Sequence, residues 1–290
     1  MKVGFVNIFG KPNAGKSTLL NALLGEKLAI ISSKVQTTRH RIKGILTTAD
    51  YQVIFSDTPG IIEPKYRLHE KMMDAVKEAL EDADLALLLY DLTDNDMMAA
   101  NELFSGLKLK VPAIVLCNKN DLVPKEKTTE VVNFFAAQSY CKEAIAISAL
   151  SGVPVKDLMR KITAYLPEAE PFFAEDEMTD LPTRFFVGEM IREKIFEQYE
   201  EEIPYHTTVL VQEFKEKTSL IKIQADIIVQ RDTQKGIILG EGGKGIKRLG
   251  MTARLEIEKF LGQKVFLELF VKVKPKWRDS DLHLKEYGYH

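Results

Sequence analysis

The sequence predicts an α/β domain built on a doubly wound, mostly parallel sheet, followed by a small α+β domain. Three observations carry this reading. Apolar runs alternate with amphipathic stretches as far as residue 166. An acidic, proline-marked segment then interrupts them at 167–182. Beyond it the pattern changes to the order α-β-β-α-α-β, with strands that alternate polar and apolar residues.

The runs at 3–9, 53–56, 85–90, 111–117 and 144–147 show no alternation. Strands buried on both faces of a parallel sheet look like this. Between them, stretches such as LHEKMMDAVKEALED at 68–82 have helical spacing. The more polar RIKGILTTA at 41–49 reads as an edge strand in a hairpin with the run at 53–56, the turn falling near residues 49 and 50. The segment 167–182 holds three prolines, six acidic residues and no basic ones. It reads as an interdomain linker, with a functional acidic segment as the alternative. After it, 184–201 is a helix, TTVLVQEFKEK and LIKIQADIIVQ are antiparallel strands, and KVFLELFVKVK at 264–274 is a last strand. Helix, glycine turn and helix lie between. The expected division is a first domain at 1–166, a linker at 167–182 and a second domain at 183–290.

Composition narrows the class. The chain is 45% apolar and 28% charged, enough for two cores. A net charge of −2 does not announce a nucleic-acid partner, so any such signal must be local. The two cysteines have no metal-ligand spacing, and Cys117 in IVLC reads as a buried strand residue. This fits a reducing, cytoplasmic compartment. No run approaches the length of about 20 apolar residues that spans a bilayer. The five histidines show no zinc or catalytic spacing.

The chemistry lies in short motifs at strand ends. GKPNAGKS at 10–17 follows the first strand and opens a helix, the setting of a phosphate-binding loop. Gly10 and Gly15 let the backbone curl so that its N–H groups, with those of Asn13, Ala14 and Thr18 nearby, face a phosphate at a helix N-terminus. Lys16 can reach the β- and γ-phosphates, and the Ser17 hydroxyl can ligate Mg²⁺. DTPG at 57–60 places Asp57 at the magnesium shell and the Gly60 N–H at the γ-phosphate. NKND at 118–121 decides the base. A carboxylate at Asp121 accepts from the N1–H and 2-amino group of guanine, and adenine would leave it unpaired. Asn118 brackets that loop and Lys119 packs on the base. SAL at 148–150 offers the Ala149 N–H to guanine O6, with Ser148 in support. GTP and GDP are the expected ligands.

These four elements resemble the translation-factor class of P-loop GTPases. That resemblance implies a magnesium-ligating threonine in QTTRH at 36–40: Thr38 is favoured and Thr37 is the alternative. Lys16, Thr38 and Gly60 are then the catalytic set, and Ser17, Thr38 and Asp57 the metal set. Ile61 stands where Ras-like enzymes carry a water-orienting glutamine, which implies slow intrinsic turnover. Asn13 occupies the position that holds K⁺ beside the phosphates in several such GTPases; a plain turn residue is the other reading.

In the second domain, ILGEGGKGIKRLG at 238–250 holds G-x-x-G between two helices. In an α-β-β-α-α-β domain this resembles the K-homology (KH) RNA-binding signature, whose loop clamps single-stranded RNA because glycines admit the phosphates closely; a helix-turn-helix packing element with a solvated basic face is the other reading. Gly240, Glu241, Gly242, Gly243, Lys244, Ile246 and Lys247 form the candidate RNA site. Residues 231–285 carry 13 Lys/Arg against 7 Asp/Glu. Trp277, Tyr287 and Tyr289 in the tail either stack on bases or pack on their own domain.

A GTPase domain with QTTRH, DTPG, NKND and SAL, followed by a KH domain with GEGG, resembles the Era family of bacterial ribosome-assembly GTPases over essentially the whole chain. The resemblance implies binding to the 3′ end region of small-subunit ribosomal RNA and to the small ribosomal subunit under nucleotide control. It also implies peripheral contact with the inner membrane; a monomer is expected. An RNA-binding assembly or chaperone module with a chiefly structural GTP site is the alternative.

Overall fold

The computed structural model describes residues 1–32, 34–152 and 154–289. They fall into two compact units, residues 1–64 with 72–180 and residues 65–71 with 181–290.

The first unit is a six-stranded sheet. Its strands are β1 (Lys2–Gly10), β2 (Ile42–Thr47), β3 (Tyr51–Asp57), β4 (Leu85–Asp91), β5 (Ala113–Asn118) and β6 (Cys141–Ala146). They are ordered β2-β3-β1-β4-β5-β6. Only the β2–β3 hairpin at the edge is antiparallel. Helices α1 (Lys16–Leu24), α2 (Arg67–Glu81), α3 (Met97–Gly106), α4 (Lys125–Ala136) and α5 (Val155–Tyr165) supply the crossovers. The non-alternating runs lie where both faces are covered: all six residues of β5 are buried. On α2, Met72, Val76 and Ala79 are buried, at spacings of four and three that keep them on one face.

The segment that reads as a linker is laid against this unit as far as residue 180. Val3 N–H donates to the Pro167 carbonyl at 3.0 Å, and Ile45 N–H to the Met178 carbonyl at 2.8 Å. The buried Gln52 side chain clamps its middle. Its Oε1 accepts from Phe172 and Phe173 N–H at 2.8 and 3.1 Å, while its Nε2 donates to the Phe173 carbonyl at 2.8 Å. Phe173 and Ala169 then cover Val3, Ile45 and Ile54.

The second unit holds α6 (Thr183–Gln198), α7 (Ile203–His206), β7 (Thr208–Glu216), β8 (Ile221–Val229), α8 (Asp232–Leu239), α9 (Lys244–Leu261), β9 (Val265–Val273) and α10 (Asp281–Glu286). The sheet order is β7-β8-β9. β7 and β8 are antiparallel, whereas β8 and β9 are parallel. A parallel pair needs a long crossover, which α8 and α9 provide. Their apolar faces and that of α6 meet the sheet in one core, including Ile191, Ile195, Ile223, Ile227, Ile238 and Ile257. The predicted helix at 184–201 stops three residues early. Tyr199 turns extended (φ −122°, ψ 150°), and its buried ring sends the hydroxyl to the Ile238 carbonyl at 3.0 Å.

The tail packs on its own unit. Trp277 is fully buried and its Nε1 donates to the His206 carbonyl at 3.0 Å. Tyr289 stacks on it at 6.3 Å and Tyr287 meets it edge-on at 5.8 Å. Of the two readings of these aromatics, packing is the one the structure adopts. Among the described residues no helix is long and apolar enough to cross a membrane.

Candidate functional site

The phosphate loop leaves the end of β1 and enters α1 at Gly15. That residue is left-handed (φ 99°), and a Cβ there would lie 2.3 Å from Asn118 Nδ2, so only glycine fits. Gly60 is similarly constrained, since a Cβ would meet Pro12 at 2.7 Å. The DTPG turn is tied to the phosphate loop by Ile61 N–H donating to the Gly10 carbonyl at 3.1 Å. Thr58 Oγ1 donates to the Ile8 carbonyl at 2.6 Å.

Three predicted metal ligands from three loops converge. Ser17 Oγ lies 2.6 Å from Asp57 Oδ2, Thr38 Oγ1 lies 3.0 Å from the same oxygen, and the two hydroxyls are 2.9 Å apart. Thr37 instead turns its hydroxyl to the Lys34 carbonyl at 2.7 Å, so the geometry favours Thr38. Asp57 Oδ1 is buried and has no hydrogen-bond partner among the described residues. Two hydroxyls beside a carboxylate with an unpaired buried oxygen suit a hard cation such as Mg²⁺. Burial raises the Asp57 pKa, opposed by Lys16 and by the two hydroxyls. Lys16 is buried and folded back on the loop, its Nζ 3.0 Å from the Lys11 carbonyl and 3.3 Å from that of Gly10. Burial pulls its pKa down to about 8, against the pull of Asp57. Neutral carbonyls are weak partners for that ammonium, and a phosphate would be a better one.

The base loops close the other end. Asn118 spans them: its Nδ2 donates to the Ala14 carbonyl at 2.7 Å and its Oδ1 accepts from Ala149 N–H at 2.8 Å. The Ala149 N–H, expected to face guanine O6, is therefore engaged. It has one proton and reaches O6 only by sharing or leaving Asn118. Asp121 is exposed, and the Ser148 hydroxyl holds its carboxyl below the usual range, so it is an anionic acceptor at neutral pH.

A cleft of about 370 Å³ runs between these loops. It is lined by every predicted nucleotide residue except Gly10, Ala14 and Asp57. Sequence reasoning gave no role to Leu122 and Leu150, which also line it. They are 65% and 84% exposed, and large apolar side chains left in water beside the Asp121 carboxylate are suited to cover an aromatic ring. The available signal was their place, directly after Asp121 and Ala149.

In the second unit, the glycine loop joins α8 to α9. Gly240, Gly242 and Gly243 are all left-handed in φ (68°, 57° and 78°). A Cβ at Gly240 would strike Gly245 N at 2.8 Å, but at Gly242 and Gly243 it would meet nothing within 4 Å. The first glycine is thus needed by the fold, whereas the last two leave an open approach. Glu241, Lys244, Lys247 and Arg248 are exposed around it. Ile246 is half-buried against the unit's core.

A candidate magnesium ligand set, a phosphate loop and a guanine-type loop at the carboxyl edge of a mostly parallel sheet define a P-loop GTPase domain; the α-β-β-α-α-β unit is a KH domain. Residues 5–119 match the family described as 50S ribosome-binding GTPase, and residues 202–278 match the KH domain family. The chain is 45% identical to GTPase Era of Geotalea uraniireducens, over 99% of this chain and 97% of that protein. It is 46% identical to GTPase Era of Geobacter sp., with the same coverage. A crystal structure of Era in complex with MgGDPNP and nucleotides 1506–1542 of 16S ribosomal RNA superimposes with a TM-score of 0.95 at 41% identity, covering 100% of this chain and 99% of that one. An Era variant of Aquifex aeolicus bound to GDP·AlF₄⁻ gives the same TM-score, identity and coverage. The chain belongs to the Era family of GTPases.

Proposed function

We propose that this GTPase is a switch that clamps single-stranded RNA of the 3′ end region of small-subunit ribosomal RNA and acts in assembly of the small ribosomal subunit. The observation that carries the reading is the meeting of Ser17, Thr38 and Asp57 at one point. A loop threonine, a phosphate-loop serine and the DTPG aspartate have no structural reason to share one carboxylate oxygen unless a metal–nucleotide joins them. A site this complete counts against a merely structural role for GTP. A relative of 41% identity bound to MgGDPNP and 16S ribosomal RNA nucleotides supports both ligands.

Mg²⁺ bound there offsets charge on the phosphates and orients them. Lys16 turns from its carbonyls to the β- and γ-phosphates. Thr38 reports the γ-phosphate, because losing it releases the loop that carries Thr38. The Gly60 N–H meets the same phosphate. Asn118 holds the phosphate and base loops at a fixed separation, Lys119 lays its stem on the base, and Asp121 reads it. Asn13 is left-handed (φ 62°) and lines the cleft, and we assign it to K⁺ beside the phosphates; equal hydrolysis rates in potassium and sodium would remove that role. The same reading places the chain in the cytoplasm as a monomer with peripheral contact to the inner membrane, which cell fractionation tests.

RNA is assigned to the glycine loop. Replacing Gly242 and Gly243 together by Asp puts two anions where phosphates approach, in space that is open and in a backbone conformation that Asp tolerates better than most residues. RNA affinity should fall at least about tenfold, with GTP binding retained. The paired Asn variant separates charge from bulk. Unchanged RNA affinity in the Asp variant would move the site elsewhere.

A further inference from the structure

The end of β4 and the turn that follows it, residues 91–96, carry carboxylates that the site described above does not use. Asp91 ends β4 in register with Asn118 of β5, and Leu92 N–H donates to the Asn118 carbonyl at 2.9 Å. The turn is therefore fixed to the strand that launches the base loop. The Asp91 carboxylate is itself oriented: its Oδ1 accepts from Thr93 N–H at 2.9 Å and from Thr93 Oγ1 at 2.7 Å. That leaves Oδ2 to pair with Lys119 Nζ at 2.5 Å. Three residues on, Asp94 repeats the arrangement. Its Oδ1 accepts from Asp96 N–H at 2.9 Å, and its Oδ2 pairs with Lys11 Nζ of the phosphate loop at 2.9 Å. Lys127 of α4 closes the turn through Asn95 Oδ1 at 3.0 Å.

We propose that this turn is a brace for nucleotide binding, in which Asp91 positions Lys119 against the base and Asp94 positions the phosphate loop through Lys11. Partly exposed ion pairs contribute little to stability, so two of them on one short turn are better explained by geometry. Lys119 starts from a left-handed backbone (φ 67°) and carries a flexible four-carbon stem. Tying its ammonium at the far end leaves that stem one path along the base. Without the tie, each binding event must order the stem again, and affinity falls by that entropy. Asp91 and Asp94 are positioning residues: they act through the lysines and touch no nucleotide.

The inference rests on the guanine-nucleotide reading, and the test separates the two. Dissociation constants for GDP are measured on the full chain with Mg²⁺. Asp91→Asn keeps the shape and the Thr93 contacts but loses the charge. GDP should bind about tenfold more weakly, mainly through faster release. In a Lys119→Ala background the same change should have no further effect. In an Asp121→Asn background it should weaken xanthosine diphosphate by the same factor, because a stem packed on the ring face is blind to the edge that Asp121 reads. Asp94→Asn should likewise weaken GDP and have no effect beyond Lys11→Ala. Unchanged affinity in Asp91→Asn, or a penalty that persists in full without Lys119, overturns the brace. If wild type binds no GDP at all, the site reading fails instead.

Discussion

Asp121→Asn should exchange the preferred nucleotide from GTP to xanthosine triphosphate. Asp121 stands at the mouth of the cleft as an anion, its carboxyl held below the usual range by the Ser148 hydroxyl. Guanine presents two donors to it, N1–H and the 2-amino group. An amide at the same place has one acceptor and one donor, which matches the xanthine edge. A hydrogen bond to a charged group contributes about 1.5–3 kcal/mol. Losing one and facing a donor with a donor should lower GTP affinity at least about 100-fold. Competition between the two triphosphates measures this. Retained GTP preference would mean that the base is read elsewhere.

Lys16→Ala should nearly abolish hydrolysis. The ammonium lies within the cleft, hydrogen-bonded to the carbonyls of Gly10 and Lys11, and burial depresses its pKa to about 8 against the pull of Asp57. A buried cation that Asp57 and two carbonyls do not fully compensate should be drawn to a phosphate and charged fully there. Removing one such electrostatic stabiliser costs roughly 3 kcal/mol of transition-state energy, or more than about 100-fold in rate. Single-turnover hydrolysis at saturating GTP is the measurement, with circular dichroism to confirm the fold. Ile61→Ala, by contrast, removes no donor and should change the rate only modestly. Equal loss in both would point to packing around the DTPG turn, not to charge.

Both predictions concern residues that were legible in the sequence, for a physical reason. Each motif must sit at the carboxyl end of a strand, and the strands show themselves as apolar runs. GKPNAGKS, DTPG, NKND and SAL each follow one, so motif and context support each other. The Thr37–Thr38 ambiguity could not be resolved this way, because neighbouring threonines in a polar loop look alike until Asp57 selects one. The strap at 167–180 was hidden for another reason. It is held largely by main-chain hydrogen bonds and by Gln52, and main-chain bonding leaves no pattern of side chains. Its prolines and acids describe its exposed surface, which is that of a linker. Trp277 was ambiguous because an aromatic among cations suits a base or a core equally. The Asp91–Lys119 and Asp94–Lys11 pairs depend on strand order, which brings β4 between β1 and β5; separation along the chain conceals them.

Nucleotide state and RNA binding should be linked on this chain. Linkage is reciprocal: if GTP tightens RNA binding, RNA tightens GTP binding by the same factor. The most direct test is the affinity of the full chain for a single-stranded oligonucleotide from the 3′ end of small-subunit ribosomal RNA. It is measured with a non-hydrolysable GTP analogue, with GDP and with no nucleotide, at one salt concentration because phosphate contacts make affinity salt-dependent. Binding should be tighter with the analogue than with GDP, by roughly 5–20-fold, the lower part of the usual coupling range. Thr38→Ala should shrink that difference. Equal affinities in all three states would contradict it, leaving a GTPase and an RNA clamp on one chain with no equilibrium switch between them.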